Sequence, residues 1–210
     1  MDPNFHVATS RLNLSYFQPD LDEHCDFFLA LRNSPEVVKA NEGVSDAFQS
    51  RELARNNIIS NLEGQAETGF GRYIVSLKPT AGDGNGEFAS ESPQDRKYIG
   101  IVSLKLRKHP SGPTVPDVGF SLSRPYWGKG YATEAASGLL DYFAKEKGVT
   151  KVSGICNPDN EQSKAMFRRL GFTDRGIRSL KGLGEGTSDH VVRGQVWTRG
   201  VTGDLSEYRL

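Results

Sequence analysis

The 210-residue chain is poor in the features that assign a protein to a class by composition alone. It has two cysteines, Cys25 and Cys156, far apart in the sequence. They fit neither a disulfide framework nor a zinc spacing, so a reducing, intracellular and cytoplasmic setting is expected, with the nucleus not distinguished. No apolar run approaches the roughly 18 to 20 residues that span a bilayer. The start, MDPNFHVATSRLNLSYF, lacks an apolar stretch behind basic residues, so neither a membrane span nor a secretory leader is expected. Charge of one sign is missing too: 26 Lys and Arg balance 26 Asp and Glu, which removes any global attraction to nucleic acid or acidic lipid. No His, Cys, Asp and Glu cluster has metal-ligand spacing, and no metal is expected. Neither a GxGxxG fingerprint nor a P-loop motif occurs, so nicotinamide dinucleotides and nucleoside triphosphates lose their usual sequence support.

What is present describes one globular unit. Hydrophobic residues at 36%, charged residues at 25% and a mean hydropathy of -0.51 suit a water-exposed α/β domain. The working assignment is a single domain over residues 1–210. Leu12, Leu14 and Tyr16 alternate as a strand does. Helical spacing predicts helices over Leu21 to Leu31 and about Ser45 to Leu62. Strands are expected at Phe70 to Leu77 and Tyr98 to Leu106, separated by a Gly-, Asp-, Glu-, Ser- and Pro-rich stretch, 79–97, that reads as a mobile loop.

The second half is sharper. Val118, Phe120 and Leu122 alternate, SRPYWGKGYA interrupts, and a helix follows with Ala132, Ala135, Ala136, Leu139, Leu140, Phe143 and Ala144 on one face. Gly148 suits its C-cap, and Val149 to Cys156 reads as the next strand. Asn160 or Asp159 can cap a further helix that buries Ala165, Met166 and Leu170. Strands at Phe172 to Leu180 and His190 to Trp197, around a glycine-rich turn at Gly182 to Gly186, complete a mixed sheet covered by helices.

Between strand and helix, Trp127, Gly128, Lys129, Gly130, Tyr131 and Ala132 form a glycine turn. Glycines let backbone approach a ligand closely, and the unpaired N–H groups of a helix start favour an anion such as pyrophosphate. Downstream, Asn157, Asn160 and Ser163 are spaced three apart around a helix start, so the last two can approach one ligand end. Their local roles are capping and turn closure; Asn can also bind amides, and Ser brings a rotatable hydroxyl.

The run RPYWGKGYATEAASGLLDYFAKEKGV followed by GICNPDNEQSKAMFRRLGF resembles the cofactor-binding core of the GNAT N-acetyltransferase superfamily, in the branch of ribosomal-protein N-terminal acetyltransferases. TSRLNLSYF resembles that branch's first strand, and the likeness extends over about residues 9–200. It implies an acyl-CoA N-acyltransferase-like fold, α/β with a central, mostly antiparallel sheet flanked by helices. It also implies acetyl-coenzyme A as co-substrate and an amine as acceptor. Phosphate contacts fall to Trp127, Gly128, Lys129, Gly130, Tyr131 and Ala132, and the pantetheine arm to Phe120, Ser121, Leu122, Asn157, Asn160 and Ser163. Phe167, Arg168 and Arg169 complete the expected cofactor-binding set.

Two departures stand out. The family motif carries Gln or Arg three residues before its first glycine, where this chain has Pro125, with Arg124 one residue earlier. Many members have a tyrosine at the position of Phe167, whose ring has no proton to give. Ser163 is therefore the candidate donor to the departing thiolate. The implied mechanism is direct attack of a neutral amine on the thioester, with both reactants aligned by the protein. A carboxylate or histidine would take the amine's proton. Asp117, at the start of the central strand, is the candidate, with Asp189 and His190 as further possibilities. Cys156 ends an apolar strand and is expected to be buried, not an acyl acceptor. The departures also motivate an alternative: an acyl-coenzyme A-binding regulatory protein with weak catalysis. The identity of the amine and the choice between monomer and homodimer are not encoded in any motif.

Overall fold

A computed structural model describes residues 2–40, 48–79, 96–183 and 191–210. The elements run β1 (His6–Ala8), β2 (Leu12–Tyr16), α1 (Asp22–Arg32), α2 (Pro35–Ala40), α3 (Arg51–Thr68), β3 (Gly71–Leu77) and β4 (Tyr98–Lys105). They continue with β5 (Asp117–Leu122), α4 (Tyr131–Lys147), β6 (Val152–Cys156), α5 (Glu161–Arg169), β7 (Thr173–Leu180) and β8 (Val192–Arg199). Short 3₁₀ turns at Arg124–Tyr126 and Leu205–Tyr208 complete the set.

One eight-stranded sheet has the order β1-β2-β3-β4-β5-β6-β8-β7. Every neighbouring pair is antiparallel except β5 and β6. The mixed, mostly antiparallel sheet is thus the one expected. β3 and β4 are buried along nearly their whole length because both faces are covered. Tyr73, Val75, Val102, Leu104 and Val118 point to the face carrying α4 and α5. Ile74 and Ile101 point to the opposite face, where α1 and α3 bring Cys25, Phe28, Leu31, Ala54 and Ile58.

Sequence expectation and structure differ where helix ends depend on more than apolar spacing. The second long helix begins after Ser50, whose Oγ accepts the Leu53 N–H at 3.2 Å. It runs to Thr68 and stops at Gly69, with φ of 78°. The apolar periodicity ends at Leu62, but the exposed polar turns beyond it continue until glycine offers a left-handed exit. β1 and α2 are too short for periodicity to reveal. The strand expected from Val149 starts at Val152. The 79–97 stretch and the Gly182 to Gly186 turn fall largely outside the described residues, as do Asp189 and His190.

Two buried polar groups tie distant segments. Glu134, in the first turn of α4, accepts from Thr9 Oγ1 (2.6 Å), Ser10 Oγ (2.9 Å), Arg11 N (2.8 Å) and Arg11 Nε (2.6 Å). Burial by itself would raise its pKa, but these hydrogen bonds outweigh it and bring the carboxyl from 4.5 down to about 2. His24 is 2% exposed; its Nδ1 accepts from the Gln18 N–H at 2.9 Å and its Nε2 lies 2.9 Å from the Tyr98 hydroxyl. Burial, and then Arg96, lower it from 6.5 to about 4.

Both folded-state values lie below the unfolded ones, so both groups stabilise the fold above the unfolded pKa and lose that contribution on acidification. Urea midpoints measured against pH are expected to fall between 6.5 and about 4 as His24 is forced to charge, and again from 4.5 toward 2 as Glu134 protonates. Glu134→Gln should remove the second limb and cost on the order of 2 kcal/mol near neutral pH. An unchanged acid limb would show that the clamp does not carry it. At Gly154, an added Cβ would sit 2.2 Å from the Phe167 ring, which is held by Trp197, Phe172 and Phe120. Gly154→Ala is expected to lower stability by roughly 1–3 kcal/mol through overpacking, measured by chemical denaturation.

Candidate active site

The site is built where the sheet fails to close. β5 pairs with β4 along six positions and β6 with β8 along five, yet β5 and β6 meet only at Asp117 and Ser153. Beyond that point the strands diverge. The opening leaves the far half of β5 without a strand partner on the β6 side, a geometry suited to hydrogen-bonding an extended, amide-containing chain.

Two cavities meet at this opening. The larger, about 510 Å³, runs between the 3₁₀ turn, α4 and α5. The smaller, about 280 Å³, lies beside β3, β4, β5 and β8. Phe120, Ser121, Asn160 and Ser163 line both.

The outer end of the larger groove is the glycine turn. Gly128 and Gly130 have φ of 73° and 81°, conformations that cost a side-chain-bearing residue about 1–2 kcal/mol. A Cβ at Gly128 would meet nothing within 4 Å, so the space above it is open. The first helical bond of α4 runs from Glu134 N to Gly130 O. The preceding N–H groups of Tyr131, Ala132 and Thr133 therefore have no intrahelical acceptor, and these three residues line the groove. Donors converging beside open space at a helix N-terminus fit a pyrophosphate.

Side chains brace this turn. Trp127 Nε1 donates to Leu122 O at 2.7 Å, and Arg124 covers the Trp127 ring at 4.6 Å. Pro125 thus sits inside a 3₁₀ turn held by its neighbours. Arg11 Nη1 donates to Lys129 O at 3.1 Å and its guanidinium stacks 4.4 Å from the Tyr131 ring. No motif singled out Arg11; it becomes visible only when β2 is placed beside α4.

Of the expected cofactor residues, Phe120, Ser121, Leu122, Trp127, Gly128, Gly130, Tyr131, Ala132, Asn160, Ser163 and Arg169 line the groove. Lys129 instead lies with Nζ 5.8 Å from the Tyr126 ring. Arg168 faces Trp197 at 5.5 Å. Phe167 is 1% exposed; it borders the smaller cavity from within the core. Asn157 also borders the smaller cavity, and its Oδ1 accepts the Asp159 N–H at 2.9 Å. Asn160 caps α5, accepting from Ser163 N at 3.0 Å, while its remaining amide is on the groove side of the junction.

Asp117 lines the smaller cavity but is 6% exposed and held by Arg107, with Nε–Oδ1 of 2.7 Å and Nη2–Oδ2 of 3.0 Å. A bidentate guanidinium contact engages the lone pairs a base would use. Cys156 lines the same cavity, and burial pushes its thiol up to about 11, which keeps it a neutral thiol near pH 7. Among the described residues no group of three or more His, Cys, Asp or Glu could hold a metal.

A phosphate-accepting groove leading to a gap in the sheet, with a second cavity behind it, defines a site for bringing an acyl carrier and an acceptor together. Residues 11–173 match the acetyltransferase (GNAT) domain family, and the chain belongs to that family: it is an N-acetyltransferase. The uncharacterized protein YkkB of Bacillus subtilis is 30% identical over 82% of this chain and 87% of its own. The FsC-acetyl coenzyme A-N(2)-transacetylase of Aspergillus fumigatus is 24% identical over 94% of this chain and 79% of its own. Among solved structures, RimL, a ribosomal L7/L12 alpha-N-protein acetyltransferase in complex with coenzyme A, superposes with a TM-score of 0.62 at 15% identity. That likeness covers 93% of this chain and 97% of the other, and it supports the fold and the branch the sequence resembles.

Replacing Gly128 by Val is expected to weaken coenzyme A binding tenfold or more, about 1.4 kcal/mol, through backbone strain and a filled cradle. Isothermal titration with coenzyme A checks this, and undiminished affinity would remove the turn from the binding site.

Proposed function

We propose that the chain transfers the acetyl group of acetyl-coenzyme A to a primary amine of a small molecule or protein by direct attack at the gap between β5 and β6. The observation that carries this reading is the meeting of the two cavities at Phe120, Ser121, Asn160 and Ser163. One side suits a long, phosphorylated carrier and the other an acceptor. The residues present fit acetyl-coenzyme A: backbone donors of the α4 start for the diphosphate, the unpartnered edge of β5 for the pantetheine amides. When bound, this co-substrate supplies an activated thioester.

The protein's own part is alignment and polarity. Trp127, Met166 and Leu122 wall the groove and exclude water from the carrier side. β5 can direct a backbone N–H at the developing oxyanion. Ser163 is 8% exposed and stands at the junction, where its hydroxyl can donate to the departing sulfur. Asp117, locked to Arg107, holds the acceptor cavity in shape in this reading; the amine's proton leaves through water. A neutral, buried Cys156 thiol supports transfer without an acyl-enzyme.

The test is thiol release from acetyl-coenzyme A by the purified protein across diverse amines, with acetylated products identified by mass spectrometry. Saturable binding with no product would overturn the reading. Ser163→Ala is expected to lower kcat roughly 10- to 100-fold with KM for acetyl-coenzyme A changed little. Unchanged kcat would exclude Ser163 as the donor.

A further inference from the structure

The acceptor cavity is electrically one-sided. Among the described residues that line it, Arg32, Arg72, Lys105, Arg107 and Arg193 are basic and Asp117 is acidic. The chain as a whole has no net charge, so this positive excess is local. It is also built into the sheet. Arg72, Ser103 and Gly119 are cross-strand neighbours on β3, β4 and β5, and side chains directly across a sheet share a face.

The floor beside Arg72 is kept low: Ser103 Oγ lies 2.9 Å from where a Cβ on residue 119 would be, so only glycine leaves that space. Arg72 is 9% exposed. Its Nη1 donates to Asn57 Oδ1 at 2.6 Å and its guanidinium lies 5.3 Å from the Phe28 ring centroid. Both contacts orient the guanidinium, and neither cancels its charge. Lys105 and Asp117 form the next cross-strand pair on the same face.

Resting on the acetyl-transfer reading, we propose that the acceptor is a small primary amine carrying an anionic group, carboxylate or phosphate. The anion sits over Ser103 and Gly119 against Arg72, Lys105 and Arg193, and the amine points toward Ser163. A cavity of about 280 Å³ suits a small metabolite-sized ligand. Guanidinium and ammonium groups with little competing water select carboxylate or phosphate over neutral isosteres. The same field disfavours an ammonium ion, so it raises the fraction of neutral amine able to attack and rejects acceptors with a second positive charge.

The experiment compares β-alanine with β-alaninamide and ethylenediamine, and phosphoethanolamine with ethanolamine, by thiol release from acetyl-coenzyme A at low salt. An acidic-N-terminal peptide is included. The expected result is kcat/KM at least about tenfold higher for each anionic amine than for its neutral partner, with the ratio shrinking as salt rises. Arg193→Gln, at an exposed position, and Lys105→Gln should each lower the anionic-to-neutral ratio severalfold. Arg72→Gln should lower it more, and Arg72→Lys should restore part of it. If Arg72→Gln fails to fold, the other two variants still read the ratio.

Neutral amines or the diamine used as well as the anionic ones would overturn the proposal while leaving acetyl transfer intact. Turnover of the acidic peptide without the small anions would overturn the small-molecule acceptor. No acetylation of any amine would instead strike the acetyl-transfer reading itself.

Discussion

The parting of β5 from β6 is the constraint on which the rest of this molecule depends. Each strand is committed elsewhere, β5 to β4 along six positions and β6 to β8 along five, and the two share one register pair. An open edge inside a sheet is costly unless something else takes its hydrogen bonds. Here the opening is where a groove and a cavity meet, so the exposed edge becomes a binding surface. The connection between the diverging strands is the glycine turn and α4, which brings the helix N-terminus to the mouth of the same groove.

Holding that helix start in place falls to a residue on the far side of the sequence. Glu134 is gripped by the turn between β1 and β2, and Arg11 reaches from the same turn to Lys129 O and the Tyr131 ring. The clamp is polar because it borders the groove, where an apolar contact would leave the first-turn N–H groups beside a surface unable to tolerate an anion. Stability and binding are thus coupled at one carboxylate, whose affinity for protons is lowered by the hydrogen bonds that position the helix.

The two sides of the gap differ in chemistry. On the carrier side, apolar and backbone groups dominate, suited to a long chain with amides and a diphosphate. On the acceptor side, a face of the sheet carries arginines and a lysine around a floor of Ser103 and Gly119. A charge balance of zero conceals this, because charges cancel over the chain and not over a cavity.

Much of the carrier side was legible in the sequence, and for physical reasons. Gly128, Gly130 and the apolar face of α4 act through local backbone geometry and a period of 3.6 residues, and Asn160 through a cap three residues from Ser163. The mixed sheet was likewise readable from alternating strands around one long amphipathic helix. The acceptor side was not. Arg72, Lys105, Arg107 and Arg193 lie on three strands and a following loop; they converge only through cross-strand register, which no spacing along the chain encodes. The same holds for Asp117, whose partner Arg107 is met across a turn, and for Phe167 and Arg168, which helical position alone cannot assign to core, groove or ring stacking. By itself the sequence determined the elements, the phosphate turn and the family resemblance, since each is a local pattern. Tertiary structure alone decided where β5 and β6 separate and which charges face the gap, because both follow from the pairing of distant strands.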